Sequence, residues 1–227
     1  MPINKIFSNF EEAVKDVQDG AIIMIGGFIG KVGMPTNLIH ALRDQGAKDL
    51  TIISNRVGGI DADVLFEAKQ VKKAIASAPV PASRTPISPF EEQYLTGAVE
   101  LEIVPQGTLA ERIRAGGAGL GGFYTPTGIG TDIAEGKEKK VINGREYILE
   151  LPLKADFAFI RAYKADKMGN LIYRRTERNF NPLMAKAAKI TIAEVDEIIK
   201  VGELDPECIT TPLIYVDRIV KIPGRKA

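Results

Sequence analysis

The sequence has little of the chemistry on which most enzyme sites are built. Its 227 residues include one histidine, His40, and one cysteine, Cys208. A zinc site built from Cys and His and a Cys–His nucleophile pair are therefore both excluded. The sequence also contains no Gly-x-Ser-x-Gly elbow and no Gly-Lys-Ser/Thr phosphate loop. These absences indicate a binding unit without a reactive group of its own.

Net charge and long apolar runs are lacking too. The 30 Lys and Arg nearly cancel the 29 Asp and Glu, so we expect no nucleic acid among the partners. The longest apolar run, at 21–25, is too short to span a membrane, and the N-terminus has no signal or transit character. A lone cysteine cannot form an internal disulfide, which favours a reducing compartment. We expect a soluble, cytoplasmic protein.

Hydrophobic patterning predicts an α/β fold. A buried strand at 21–25, a glycine turn, a helix from Pro35 to Gly46 and a strand at 50–53 form a right-handed parallel βαβ unit. Length and a 45% hydrophobic content favour a single domain over 1–227, built as an open, mostly parallel sheet with flanking helices. Further strands are predicted at 71–76, 99–103, 156–163, 171–174, 190–194 and 214–220.

Turn and capping residues add detail to this prediction. A capping box at Ser8 predicts a helix that Gly20 closes, and another at Thr108 predicts a helix ending at 116–117. A short helix is predicted at 183–189. Asn143-Gly144 predicts a tight hairpin, so we expect a β-hairpin-rich excursion beside the sheet.

The turn after the first strand is the first candidate site. It reads Gly26, Gly27, Phe28, Ile29, Gly30, Lys31, Val32 and Gly33. Free N–H groups in such a turn, together with the N-terminus of the following helix, favour an anion or a thioester carbonyl. A tight connection in which glycine only avoids a clash explains the same pattern, and the glycine count alone leaves both interpretations open.

A dinucleotide site is one alternative for this turn. That fingerprint has an acidic residue at the end of the second strand, whereas this sequence has Ser54-Asn55-Arg56 there. Arg56 could hold a 2′-phosphate, which keeps NADP as an alternative. The glycine spacing also departs from Gly-x-Gly-x-x-Gly.

Two amides and a second glycine-rich stretch complete the candidates. Asn55 and Gln106 each follow a predicted strand, where open α/β sheets bind ligands, although each could equally be a loop-capping amide. The stretch 116–130 holds seven glycines in fifteen residues, which indicates that backbone is needed at close range there.

Taken together, these segments resemble the alpha (A) subunits of family I CoA-transferases of the 3-oxoacid, acetate–acetoacetate and 3-oxoadipate types. The resemblance covers essentially the whole chain. The motifs that carry it are Asp19-Gly20, Gly26-Gly27-Phe28, Gly33-x-Pro35, Val104-Pro105-Gln106-Gly107-Thr108-Leu109, Arg112-Ile113-Arg114-Ala115-Gly116-Gly117-Ala118-Gly119, Phe123-Tyr124-Thr125-Pro126-Thr127-Gly128, Arg178-Asn179-Phe180-Asn181-Pro182 and Ile214-Tyr215-Val216-Asp217-Arg218.

The resemblance implies a CoA-transferase (NagB/RpiA-like) fold and a half-enzyme. Such enzymes work in a ping-pong cycle through a glutamyl-CoA thioester, and the glutamate belongs to a Glu-Asn-Gly motif of a beta (B) subunit. This chain has no such motif, so the implied partner is a B subunit in an αβ or α2β2 assembly. Coenzyme A enters as substrate, in acyl-CoA, with no tightly bound cofactor and no metal.

Carried onto this sequence, the turn from Gly26 to Gly33 resembles the CoA-binding segment, and Asn55 and Gln106 resemble amides of the acyl pocket. Arg56 is either a surface arginine or a partner for the second carboxylate of a dicarboxylic substrate. Lys31-Val32 makes the turn one residue longer than in some relatives, and Leu213 replaces a common glycine. Two alternatives remain open, an NADP-dependent oxidoreductase domain and a non-catalytic acyl-CoA-binding or assembly protein.

Overall fold

The computed structural model describes residues 3–28, 32–79 and 87–224. Two sheets and short helices make up this part of the chain. The strands are β1 (Ile22–Ile25), β2 (Leu50–Arg56), β3 (Val71–Ala78), β4 (Glu100–Ile103), β5 (Phe123–Thr125), β6 (Lys139–Ile142), β7 (Arg145–Glu150), β8 (Ala155–Asp166), β9 (Leu171–Ile172), β10 (Ala188–Ile199) and β11 (Arg218–Lys221). The helices are α1 (Phe10–Val14), α2 (Thr36–Gln45), α3 (Asp63–Glu67), α4 (Pro89–Leu95), α5 (Gln106–Ala118) and α6 (Asn181–Met184), with 3-10 turns at Asp132–Ala134, Arg175–Arg178, Pro206–Cys208 and Leu213–Tyr215.

The larger sheet is parallel in the order β11-β10-β8-β1-β2-β3-β4, and only β9, paired with β8, runs antiparallel among its described strands. The predicted open, mostly parallel sheet is therefore confirmed. Because β1 lies in the middle, the glycine turn that follows it emerges at the centre of the edge formed by the carboxyl ends of the strands. This is the edge at which open parallel sheets bind ligands.

Alternation along the strands builds a core on each face of the sheet. Ile23 and Ile25 of β1 pack into one cluster with α1 to α4, and Met24 between them packs into the other with α5 and α6. Successive strand residues point to opposite faces, so helices must cover both sides, as they do here. This layering is why the strands read as continuous apolar runs rather than as an alternating pattern.

A separate three-stranded antiparallel sheet, β5-β7-β6, forms the excursion. Asn143 and Gly144 join β6 to β7 with φ angles of 51° and 77°. A two-residue hairpin of this hand needs both central residues at positive φ, which Asn and Gly tolerate best. The predicted hairpin is confirmed.

Several predicted helix boundaries are wrong because a different residue makes the cap. Asn9, not Ser8, caps α1 by accepting a hydrogen bond from Glu12 N at 2.7 Å, and Ser8 instead donates to the Glu12 carboxylate. The helix then ends at Val14, well before Gly20. Similarly, α5 begins at Gln106 after Pro105, two residues before the predicted Thr108 box.

Two predicted elements near the C-terminus also differ from the structure. The predicted helix at 183–189 is α6, Asn181–Met184, and its last predicted residues belong to β10. The predicted strand at 214–220 divides into the 3-10 turn Leu213–Tyr215 and β11, Arg218–Lys221. Pro212 precedes that turn, where its fixed φ favours a helical first turn over a strand.

Gly116 of α5 gives a direct test of this packing. A Cβ at Gly116 would lie 1.9 Å from the Leu153 carbonyl oxygen, so we expect Gly116→Ala to lower the free energy of unfolding by about 2 kcal/mol or more. Gly107 lies in the same helix with nothing within 4 Å of an added Cβ. Gly107→Ala should therefore leave stability unchanged or raise it by up to about 1 kcal/mol. Denaturant unfolding of both variants measures the contrast, and equal stabilities would contradict it.

Candidate functional site

The glycine turn and the end of β2 face each other across a narrow cleft. Gly26, Gly27 and Phe28 form one wall, and Asn55 and Arg56 form the other. The structure thus brings Asn55 next to the described part of the turn. Of the eight predicted turn residues, Ile29, Gly30 and Lys31 lie outside the described residues.

Two asparagines that follow the 3-10 turn Arg175–Arg178 hold the glycine turn in place. Asn179 Oδ1 accepts a hydrogen bond from Gly27 N at 3.2 Å, and its Nδ2 donates to Val32 O at 3.1 Å. Asn181, with no exposed surface, donates to Gly33 O at 2.9 Å and accepts from Arg161 N at 3.1 Å. The two amides therefore bond to both ends of the turn.

This close approach explains why two of the turn positions are glycine. A Cβ at Gly26 would lie 1.8 Å from Asn181 Oδ1, and a Cβ at Gly33 would lie 2.7 Å from Asn179 Nδ2. Gly33 also has φ +66°, a conformation that residues with a side chain rarely adopt. At these positions glycine serves the packing of the protein on itself.

Three N–H groups of the described turn already have acceptors within the protein, which weakens one reason for expecting an anion there. Gly26 N donates to Phe159 O, Gly27 N to Asn179, and Phe28 N to Val32 O at 3.1 Å. The sequence could not reveal this, because the acceptors come from β8, from the segment after the 3-10 turn and from the far side of the turn. The assignment of Gly26 to Gly33 to CoA binding stays a prediction.

The N-terminus of α2, directly after the turn, is also occupied. Pro35 at the N-cap offers no side-chain oxygen, and Glu194 of β10 takes over the capping. Its Oε2 accepts from Asn37 N at 2.9 Å and from Leu38 N at 3.1 Å. A carboxylate there complements the helix dipole, so this protein already fills the helix terminus that a dinucleotide fold offers to pyrophosphate.

Glu194 belongs to a buried charged network. Arg161 Nη1 lies 3.3 Å from Glu194, and Arg161 Nη2 lies 2.5 Å from Asp196. Burial raises the pKa of Glu194 to about 7, while its hydrogen bonds to the α2 N-terminus and the charge of Arg161 oppose that shift. Removal of one member would leave an uncompensated buried group, which is strongly destabilising. The network thus ties β8 and β10 to the start of α2.

Asn55 and Arg56 differ in how much of their polar capacity is used. Asn55 is buried and donates to Ser77 Oγ at 2.8 Å. Arg56 is half-buried, and its Nε donates to Gly58 O at 3.2 Å. Within the described ranges Arg56 forms no ion pair, so its guanidinium retains donors in the cleft. Arg56 thus lines the cleft with part of its surface exposed.

Gln106 is not part of this narrow cleft. It is exposed in the first turn of α5, and no described residue accepts or donates a hydrogen bond to its amide. Ala110, four residues on and on the same helix face, lines an apolar pocket of about 440 Å³ together with Phe28 and Leu183. Gln106 itself does not line that pocket; it lies one turn before Ala110 on α5.

The second glycine-rich stretch packs against protein rather than opening a ligand site at its start. Gly116 touches the Leu153 carbonyl, and a Cβ at Gly117 would lie 2.8 Å from Lys186 Cβ. The residues from Phe123 to Thr125 then form β5 of the small sheet. Glycine does allow a close approach to the backbone here, as the sequence indicated. The approaching group at both positions belongs to another segment of this chain, not to a ligand site.

Comparison with known proteins places this geometry in a family. The family model described as Coenzyme A transferase matches residues 7–222. The chain belongs to the coenzyme A transferase family. The motifs predicted a resemblance to the alpha (A) subunits of family I enzymes, and this prediction is confirmed at the level of the family. The chain is accordingly a subunit of an enzyme.

Two curated relatives of this coenzyme A transferase chain are themselves A subunits. It is 54% identical over 220 residues, 96% of this chain and 90% of the relative, to the probable A subunit of the succinyl-CoA:3-ketoacid coenzyme A transferase of Bacillus subtilis. It is 51% identical over 227 residues, 99% of this chain and 96% of the relative, to the A subunit of the 3-oxoadipate CoA-transferase of Pseudomonas putida.

A solved structure with the same fold is that of the acyl-CoA transferase from E. coli O157:H7 in a thioester complex with CoA. The TM-score is 0.83 at 22% identity, covering 99% of this chain and 48% of that one. This coenzyme A transferase chain thus spans about half the length of that structure, and the likeness at this identity concerns the fold.

Sequence reasoning missed the residues that hold the glycine turn in place. Asn179 and Asn181 lie in a motif that carried the family resemblance, but nothing in the sequence tells which segment their amides bind. Arg161 and Glu194 carry no local signal, because their partners lie far away along the chain, in another strand or in α2. In the part of the chain that the structure describes, no helix is long and apolar enough to cross a membrane, and no cluster of His, Cys, Asp or Glu is arranged to hold a metal.

The raised pKa of Glu194 gives a testable pH dependence. The folded protein retains a proton between the ordinary value of 4.5 and about 7 that the unfolded chain releases. The stabilisation from this group is therefore complete below pH 4.5 and is lost as the pH rises through 7. We expect the free energy of unfolding of wild type, relative to Glu194→Gln, to fall by roughly 2 kcal/mol between about pH 5 and 8.

Denaturant titrations at several pH values measure this difference. Glu100→Gln, which changes an exposed glutamate of β4, is the control and should leave the pH slope as in wild type. A pH-independent difference between wild type and Glu194→Gln would contradict the raised pKa.

Proposed function

We propose that this chain is the A subunit of a heteromeric CoA-transferase. The complex moves CoA between a short-chain acyl-CoA, of the 3-oxoacyl-CoA or succinyl-CoA class, and a free carboxylic acid. The observation that carries the proposal is the identity of about half of all residues, over almost the full length, to relatives that are named as A subunits. Those two relatives are named for succinyl-CoA:3-ketoacid and 3-oxoadipate transfer.

The chemistry needs a carboxylate nucleophile that the partner supplies. The thioester carbonyl is attacked by a glutamate of the B subunit, and the carbon–sulfur bond breaks to give a mixed anhydride and the CoA thiolate. The thiolate attacks the glutamyl carbonyl, which releases the first carboxylate and leaves a glutamyl-CoA thioester. The second acid then reverses the two steps. Each attack passes through an oxyanion and gains from donors held in place without water.

In this mechanism the A subunit binds and orients. The glycine turn from Gly26 to Gly33 is assigned to the thioester end of CoA, and its residues Gly26, Gly27 and Phe28 form one wall of the narrow cleft. With the N–H groups of Gly26, Gly27 and Phe28 engaged internally, we assign hydrogen bonding to the acyl oxygens to the amides of Asn55 and Gln106. Asn55 lines the narrow cleft, and Gln106 lies at the start of α5, the helix whose Ala110 lines the apolar pocket.

The dinucleotide alternative is disfavoured by the electrostatics of the turn. Glu194 places a carboxylate on the N–H groups of Asn37 and Leu38, where a bound pyrophosphate would need them. An αβ or α2β2 assembly with a B subunit remains part of the proposal, and a non-catalytic acyl-CoA-binding or assembly protein is the outcome against which it is tested.

The first test compares the chain alone with the complex from its own host. We expect CoA transfer from acetoacetyl-CoA or succinyl-CoA to a carboxylate only in the complex. Changing the catalytic glutamate of the partner to alanine should abolish it. Activity in the lone chain would show that the nucleophile lies here, and a complex that binds acyl-CoA without transfer would support the binding-protein alternative.

Arg56 tests the class of substrate. Its guanidinium borders the cleft beside Asn55 and can pair with the second carboxylate of a succinyl or 3-oxoadipyl group. We expect Arg56→Gln in the complex to raise KM for succinyl-CoA about tenfold, because a charge-assisted hydrogen bond is lost. KM for acetoacetyl-CoA should stay within about twofold, since no second carboxylate is present.

Arg43→Gln, a change of an arginine on α2 that pairs with its neighbour Asp44, is the matched control and should affect neither donor. An equal rise for both donors in Arg56→Gln would mean that Arg56 only supports the local structure.

A further inference from the structure

A hydroxyl group near the carboxyl end of β3 lies beside the Asn55 amide. Ser54 of β2 pairs in parallel with Ala76 of β3. The residues that follow them, Asn55 and Ser77, therefore lie side by side on the same face of the sheet. Ser77 is half-buried, and nothing in the proposed mechanism uses it.

Two hydrogen bonds join these neighbours. Ser77 Oγ lies 2.8 Å from the backbone oxygen of Asn55 and 2.8 Å from Asn55 Nδ2. A contact this short between two oxygens is a hydrogen bond, and a carbonyl has no proton to give, so the single proton of the hydroxyl lies between them. Towards the side chain of Asn55 the hydroxyl can therefore only accept.

This arrangement selects one orientation of the amide. The last side-chain torsion of asparagine is broad and roughly two-fold, so the side chain alone does not distinguish its nitrogen from its oxygen. A hydroxyl that can only accept does distinguish them, because it bonds to Nδ2 and repels Oδ1. The second N–H and Oδ1 of Asn55, which have no hydrogen-bond partner among the described residues, are thereby kept in fixed places.

The orientation of this amide matters because Asn55 lines the narrow cleft with the glycine turn. An amide that binds the acyl oxygens must offer an N–H to the negative charge that develops on them. A flip of the amide would exchange its nitrogen and oxygen, and the oxygen would then repel that charge. Asn55 is only 3% exposed, so little solvent is available to orient the amide in place of Ser77.

We propose that Ser77 is a positioning residue for CoA transfer, whose hydroxyl orients the Asn55 amide so that its second N–H donates to the acyl oxygen of the substrate. This inference rests on the proposed function, which assigns that oxygen to Asn55. It adds a residue that touches neither the substrate nor the reacting atoms and acts only through the amide. Both donors carry the same thioester carbonyl, so Ser77 serves succinyl-CoA and acetoacetyl-CoA equally, unlike Arg56.

The test measures transfer in the assembled complex with both donors. We expect Ser77→Ala to lower kcat about tenfold for each donor while KM stays within about twofold, because the oriented N–H acts on the transition state. Ser77→Thr keeps the hydroxyl and should recover kcat to within about threefold of wild type. In the Asn55→Ala background, Ser77→Ala should cause no further loss, since a residue that acts only through another has no effect without it.

Thr191→Val is the matched control, because it removes another hydroxyl of the same sheet that donates to a backbone oxygen, Ala185 O, at 3.0 Å. This change should leave kcat as in wild type even where it lowers stability. If Ser77→Ala does not assemble, Ser77→Cys takes its place with the same expected loss, because a thiol is a weak donor and acceptor.

A wild-type kcat in Ser77→Ala or Ser77→Cys overturns the proposal while leaving the transferase function intact. An equal loss from Ser77→Ala with Asn55 present and with Asn55 replaced also overturns it, because Ser77 would then act independently of the amide. Absence of transfer in the wild-type complex would instead refute the proposed function.

Discussion

The hydrogen bonds of one buried amide determine the geometry of this site. Asn181 connects the glycine turn, the strand β8 and the 3-10 turn by bonding to Gly33 O, Arg161 N and Glu177 O. Because the amide is fully buried, none of these bonds can be exchanged for water without a cost. Gly26 and Gly33 lie against the amides of Asn179 and Asn181. Both positions require glycine, because a side chain there would clash with those amides.

A buried charged network also holds the region around the glycine turn and the start of α2 in place. Glu194 of β10 caps α2 and is paired with Arg161 of β8. The backbone N–H of the same Arg161 donates to Asn181, so the two networks meet at this residue. A buried network of this kind holds its side chains in defined positions, whereas it is weak evidence for a higher free energy of unfolding. Its members come from β8, β10 and α2, which are brought together only by the parallel order of the sheet.

These two networks change the interpretation of a glycine-rich turn. Glycine near a helix N-terminus is typical of an anion site, yet here Asn179, Phe159 and Glu194 already accept hydrogen bonds from four N–H groups of this region, those of Gly26, Gly27, Asn37 and Leu38. A positive charge beside the cleft comes instead from Arg56, at the end of β2. Rigid backbone and charged side chains are thus supplied by different segments of the chain.

The sequence by itself determined the fold class, the hairpin at Asn143 and Gly144, and the family. Those features depend on local periodicity, on residue-specific backbone angles and on motifs that are read along the chain. Tertiary structure alone decided that Asn181 requires a glycine at position 26 and that Glu194 replaces a missing cap. The partners in those contacts are more than 150 residues apart along the chain, and only the pairing of β1, β8 and β10 in one parallel sheet brings their side chains within hydrogen-bonding distance.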